Sequence, residues 1–112
     1  MQLPEQCEIL RVYIGEADKH GGRPLHEAIV EEARRRGMAG ATVLRGIMGF
    51  GANSRIHTAR ILRLSEGLPI VVEIIDRPER VAEFLPWLDE AVRDGLLTVE
   101  EARVVVYRHK GA

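Results

Sequence analysis

Pro69-Ile70-Val71-Val72-Glu73-Ile74-Ile75-Asp76-Arg77-Pro78 is the stretch whose reading decides the fold. Ile70 to Ile75 is a short apolar run rich in β-branched residues, bounded by a proline and an aspartate, and so predicts a strand. Directly after it Asp76 offers a helix N-cap and Pro78 a first-turn residue, and Val81, Phe84, Leu85, Leu88 and Val92 recur at helical spacing. A strand therefore feeds an amphipathic helix. Pro86 lies inside that helix and predicts a kink or break in its hydrogen-bond ladder. Gly95 ends it. Thr98 with Glu101 suggests a small capping box, and Arg103 to Tyr107, with three consecutive valines, predicts the last strand.

Upstream the order is similar. Cys7 to Ile14 alternates, placing Leu10, Val12 and Ile14 on one face and Arg11 and Tyr13 on the other, and Gly15 ends this first strand. Glu16 to Arg23 is a loop containing Gly21-Gly22. Pro24 then opens a helix whose apolar residues are Leu25, Ala28, Ile29 and Ala33, closed by Gly37 as a C-cap. Ala41 to Phe50 predicts a second strand, in which Gly46 and Gly49 mark a bulge or a close backbone approach. His57 to Leu64 fits either a short strand or the flank of a long hairpin loop. The sequence of elements is strand, helix, strand, loop or extra strand, strand, helix, strand: a ferredoxin-like βαββαβ arrangement of the α+β class, with two helices on one face of an antiparallel sheet. The other face carries Ile9, Tyr13 and valine, more apolar than a wet sheet face, which predicts self-association through the sheet.

Composition bounds the chemistry. The 112 residues make one domain, residues 1–112, long enough to bury a core without disulfides, in keeping with a single cysteine. With 46% apolar and 29% charged residues the chain is globular, not disordered. No apolar run approaches the roughly 18 residues of a membrane span, and Met1 to Gln6 lacks a signal-peptide layout, so a cytoplasmic location is expected. A net charge of −1 argues against neutralising a nucleic-acid backbone as the main task. Only Lys19 and Lys110 are lysines, so the cationic surface is almost entirely arginine, the side chain that forks onto phosphate or carboxylate oxygens.

The densest punctuation is Gly46-Ile47-Met48-Gly49-Phe50-Gly51-Ala52-Asn53-Ser54-Arg55. Its glycines allow backbone N–H groups to approach a phosphate, with Arg45 or Arg55 supplying charge; the competing reading is a glycine-rich hairpin with no ligand. It lacks the Gly-Lys-Ser/Thr of a Walker loop and opens no helix, so it is not a dinucleotide fingerprint. Gly49-Phe50-Gly51 resembles the core of an RNA-recognition strand, but no second aromatic follows at strand spacing. His20, His26, His57 and His109 show no metal-motif spacing; Asp18, His20 and His26 surround a loop and a helix start, where they could gather a metal, but a solvated loop is the favoured reading. Cys7 sits in a strand without a sequence-near base and is expected to pack. Glu31-Glu32, Asp89-Glu90 and Glu100-Glu101 fall on helix surfaces or a turn, as solubilising pairs. No acid, base and oxyanion constellation emerges, so no catalytic residue is assigned and an enzyme is not expected.

Gly22-Arg23-Pro24-Leu25-His26-Glu27-Ala28-Ile29, Gly40-Ala41-Thr42-Val43-Leu44-Arg45-Gly46-Ile47-Met48-Gly49-Phe50-Gly51, and Ser54-Arg55-Ile56-His57-Thr58 through Leu68-Pro69-Ile70-Val71-Val72-Glu73 resemble the uncharacterised family called domain of unknown function 190. That family is in turn similar to the PII signalling proteins, trimers of ferredoxin-like subunits that bind adenine nucleotides between neighbours and reach partners with a T-loop. The resemblance implies a homotrimeric sensor that binds an anionic effector, such as an adenine nucleotide, and regulates a partner protein, a membrane transporter among the candidates, through the loop after Phe50. It implies no nucleic-acid partner, no metal and no required cofactor. By resemblance Thr42 meets an adenine edge and Gly49, Phe50 and Gly51 form the T-loop base beside the phosphates, with Arg55 contributing from the loop. The spacing from Gly40-Ala41-Thr42-Val43 to Gly49-Phe50-Gly51 is one residue longer than in PII proteins, an excess that a bulge at Gly46 would absorb. The glycine- and lysine-rich loop before the last strand is replaced by Thr98 to Arg103, leaving Arg103 to stand in for the phosphate-binding lysine and Arg108 for a C-terminal arginine. Gly51 to Pro69 holds no tyrosine, so modification of a tyrosine there is not implied. The alternatives are a ligand-free trimeric interaction module and, behind it, a small metal-binding or hydrolytic trimer.

Overall fold

The computed structural model describes residues 2–52, 55–58 and 67–110. Its described elements run β1 (Gln6–Gly15), β2 (Lys19–His20), β3 (Arg23–Pro24), α1 (Leu25–Arg35), β4 (Gly40–Arg45), β5 (Met48–Gly49), β6 (His57–Thr58), β7 (Pro69–Asp76), α2 (Pro78–Ala91) and β8 (Leu96–Arg103). Four of them form one antiparallel sheet in the order β4-β7-β1-β8. This is the expected ferredoxin-like topology, with the two helices on one face.

Alternation decides which face is covered. Leu10, Val12 and Ile14 of β1 lie opposite Ile74, Val72 and Ile70 of β7, and all six are buried. Ile29 of α1 and Phe84 and Leu88 of α2 close this layer with no exposed surface. Burying three such side chains supplies on the order of 6 kcal/mol of hydrophobic stabilisation. Trp87 stacks on Phe84, with ring centroids 5.6 Å apart, and meets the edge of His20 on β2.

The helix ends obey the local chemistry. Gly37, at φ 71°, ends α1 in a Schellman motif: its N–H donates to Arg34 O (2.9 Å) and that of Met38 to Ala33 O (3.0 Å). Asp76 is not the N-cap of α2; Arg77 occupies that position and caps with no side-chain bond. Asp76 instead lies buried, accepting from the N–H groups of Ala39 (3.0 Å) and Arg77 (2.7 Å), and so ties the α1–β4 turn to the β7–α2 junction. The helix runs through Pro86 without interruption. Pro86 is exposed, so the carbonyl it leaves unbonded costs little where water replaces the lost partner.

Two predicted strands move. The second ends at Arg45 and resumes only as the two-residue β5, because Gly46 and Gly49 carry the chain off the sheet. The last is Leu96–Arg103, not Arg103 to Tyr107. It must start where its partner ends, and β1 supplies that template from Tyr13, opposite Leu96, to Gln6, opposite Arg103. The valine run overshoots the sheet: Val104 N–H donates to Glu5 O (2.7 Å), Val105 is 82% exposed, and the Tyr107 hydroxyl donates to Ala39 O (2.7 Å). Thr98 and Glu101 are therefore strand residues and form no capping box. Of His57 to Leu64, His57 and Thr58 form β6; residues 59–66 lie outside the described ones.

The uncovered face bears Ile9, Tyr13, Leu44, Val71, Ile75 and Leu96, with Tyr13 38% and Leu96 55% exposed. In its middle the Arg11 guanidinium bonds Glu73 of β7 (Nε to Oε2, 2.8 Å) and Glu100 of β8, an arrangement that raises the arginine pKa further. Glu100 is thus not on a turn but shares an arginine across the sheet. Among the described residues no helix is long and apolar enough to cross a membrane.

Candidate ligand site at the base of the loop

Where β4 ends, the chain passes over Pro69. The N–H of Gly46 donates to Pro69 O (2.7 Å). A Cβ on Gly46 would come within 3.2 Å of Pro69 Cγ and press on the ring, and one on Gly49 within 2.9 Å, where something must shift, so the glycines let the backbone lie close against the proline. This is the close approach that the spacing of Gly46 and Gly49 predicts. Gly51 faces open space. Met48 and Gly49 then pair with Thr58 and His57 as a two-residue ladder, and the His57 ring lies where a side chain on Gly67 would have to go.

The base of the loop is rich in exposed apolar side chains: Ile47 is 78%, Phe50 69% and Ile56 57% exposed. Phe50 and Gly51 are open to solvent, as is Arg55, two residues before β6. Thr42 lies on the edge strand β4 opposite Glu73, on the uncovered face. Arg45, the last residue of β4, is gripped by both carboxylate oxygens of Glu16: Nε to Oε2 at 2.9 Å and Nη2 to Oε1 at 3.1 Å.

Arg103 lies elsewhere. It is the last residue of β8 rather than the start of a final strand, and its guanidinium pairs with Glu5 (Nε to Oε1, 2.7 Å). Strand β8 is the sheet edge opposite β4, about 14 Å away across three strand spacings. Along the strands, the level of Ile14 and Arg45 and the level of Gln6 and Arg103 are about 26 Å apart. The chain therefore brings Thr42, Gly49, Phe50 and Gly51 to one edge and keeps Arg103 at the far corner. Arg108 is exposed in the segment after β8.

With β8 beginning at Leu96, the loop that precedes the last strand is Val92-Arg93-Asp94-Gly95. Gly95 lies against Tyr13 O, 2.5 Å from the position of an added Cβ, and near Ile14. Exposed Arg93 is thus at the same end of the sheet as Gly46 and Pro69. Reading the last strand too late hides Arg93; the alternation of Leu97 and Val99 with Thr98 and Glu100 is the signal that reveals it.

Other candidates hold structural posts. The Cys7 thiol is buried and donates to Pro4 O (3.3 Å), and burial pushes its pKa up, which makes it a poor nucleophile. Asp18 accepts from the N–H of Gly15 (2.9 Å) and has no metal-ligating cluster around it among the described residues. Glu32 takes bonds from Arg35 and Arg36, which hold its carboxyl down to about 2 from 4.5.

The family model for domain of unknown function 190, described as uncharacterized ACR, matches residues 7–104. A UPF0166 protein of Aquifex aeolicus is 36% identical over 98 residues, covering 88% of this chain and 92% of its own. A UPF0166 protein of Methanocaldococcus jannaschii is 34% identical over 100 residues, with the same coverage. Among solved structures, CPII, a nitrogen regulatory PII-like protein from Thiomonas intermedia bound to ADP, AMP and bicarbonate, superposes with a TM-score of 0.62 over 88% of each chain at 17% identity.

Proposed function

Because the chain belongs to the domain of unknown function 190 family and has a PII-like fold, we propose that it is a non-enzymatic regulatory protein that binds an adenine nucleotide between subunits and signals occupancy through the segment after Phe50. The observation that carries this reading is the glycine-lined passage over Pro69. There, Gly46, Gly49 and Gly51 leave backbone uncovered by their own side chains beside an edge strand, as close anion approach favours. That the PII-like neighbour holds ADP and AMP supports adenine as the base.

The site in this proposal joins Thr42, Gly49, Phe50, Gly51 and Arg55 from one subunit to Arg93 from the next. Because β4 and β8 are opposite sheet edges, Arg93, in the loop before β8, would come to this site from a second copy. A homotrimer associating through the uncovered face would supply that copy and remove Tyr13 and Leu96 from water. Arg103 and Arg108 remain secondary candidates on this reading, and an effect of occupancy on a partner requires that the nucleotide favour one loop arrangement over another.

Calorimetric titration with ATP, ADP, AMP and cyclic dinucleotides tests it, alongside sedimentation. Binding of one adenine nucleotide to a species of about three chains is expected, with Arg93→Ala weakening it roughly ten-fold through loss of a charge-assisted fork and Arg103→Ala changing it little. A sedimenting mass of one 12.5 kDa chain with no nucleotide bound would overturn the reading. A trimer that binds none would favour the ligand-free interaction module.

A further inference from the structure

Glu16 touches both feet of the loop. Its carboxylate grips Arg45, where the chain leaves the sheet, and its backbone N–H donates to Leu68 O (2.9 Å), where the chain returns. The residue itself is well placed to hold them. Gly15 before it is the end of β1 and is pinned by Asp18, and Leu68 is buried. No other described side chain is paired with Arg45, which stands directly before Gly46 and the passage over Pro69.

We infer that Glu16 is a positioning residue that clamps the two feet of the loop, and that its carboxylate competes with the phosphates of a bound nucleotide for the Arg45 guanidinium. This rests on the nucleotide reading above and adds the means by which occupancy reaches the loop. A guanidinium fork accepts either a carboxylate or a phosphate in the same two-point geometry, and it cannot serve both with the same donors. A multiply charged phosphate outweighs a single carboxylate at one fork, so binding frees Glu16 from Arg45 and loosens the outgoing foot. The Leu68 foot keeps its backbone bond. The ion pair is exposed enough, with Arg45 56% open, for a solute to reach it.

Glu16→Gln removes the charge while keeping the backbone N–H and the side-chain shape. Without nucleotide, hydrogen exchange at Gly46 is expected to quicken several-fold relative to wild type, while Leu68 and β7 are unchanged. With ADP as the probe, Glu16→Gln should bind three- to ten-fold more tightly, and ADP should quicken Gly46 exchange in wild type but not in the variant. Unchanged exchange at Gly46 in nucleotide-free Glu16→Gln overturns the clamp. Equal or weaker ADP binding by the variant overturns the competition. If neither protein binds ADP, the nucleotide reading and the competition both fall, and the exchange comparison alone decides the clamp.

Discussion

At its C-terminal end β7 runs into Asp76, a buried carboxylate that accepts two backbone N–H groups; at its N-terminal end it begins at Pro69, whose neighbourhood is fastened by backbone bonds and an exposed ion pair. Around Asp76 gather the Schellman turn of α1, the Glu32–Arg36 pair and the Arg36 guanidinium, which sits 5.1 Å over the Phe84 ring. Around Pro69 gather Gly46, Gly49 and Glu16, and beyond them the exposed Ile47 and Phe50. One strand thus has an end fastened by a buried carboxylate and an end fastened in part by an exposed ion pair, where water or a solute can replace a partner. The contrast places adaptability beside the glycine-rich segment and rigidity at the helix junctions.

The largest effect that would test this contrast is Asp76→Ala. It leaves the Ala39 and Arg77 amides without an acceptor and should cost about 3 kcal/mol in chemical denaturation. A loss under about 1 kcal/mol would mean that this end is as replaceable as the other.

Gly95→Ala comes next. Its new methyl would lie 2.5 Å from Tyr13 O, a backbone atom that cannot swing away, so about 2 kcal/mol should be lost and β8 should exchange faster near Leu96. A neutral substitution would show that the loop before β8 shifts freely.

Acid should also weaken the Asp76 end. Glu32 is lowered from 4.5 to about 2 by its bonds from Arg35 and Arg36, so its contribution is complete above pH 4.5 and is lost as pH falls toward 2, where the unfolded chain has already taken up its proton. Glu32→Gln should flatten the fall of stability with acid across that window. An identical slope in the variant would show that the pair does not form in solution.

The smallest effect is expected of Gly49→Ala. The added methyl meets the Pro69 ring at 2.9 Å, a contact that the exposed segment can relieve by moving, so about 1 kcal/mol of stability should go. Nucleotide affinity, measured by the same titration, should suffer more than stability. Equal losses in both would remove the special role of the passage over Pro69.

The topology was legible because each central strand states its face: Leu10, Val12 and Ile14, like Ile70 to Ile75, need only a period of two to be read. The edge strand β8 was legible only in part. Leu96 to Arg103 is mostly exposed and mixes threonine and glutamate with its leucines, so local composition favours Val104 to Val106; the true position is set by hydrogen bonding to β1, a long-range fact. Asp76 was misread for a related reason. An aspartate before a helix suggests a cap, and only the fold brings Ala39 within its reach. Of the site, the glycines declare a close approach but not the proline they approach, and nothing local joins Glu16 to Arg45. Arg93 lay hidden behind the misplaced strand.

The pairing of Gln6 with Arg103 also sets how the sheet answers to force. Strands β1 and β8 are adjacent and antiparallel, and their outer ends lie side by side. A pull applied at Gln6 and Arg103 draws the two strands apart in the direction of their hydrogen bonds, so the ladder opens one pair at a time from Gln6 toward Tyr13 instead of resisting in parallel. Tension across these two positions would therefore peel β8 from the sheet at low load while β7 and β4 stay paired, making the β1–β8 seam the mechanical weak line of the fold.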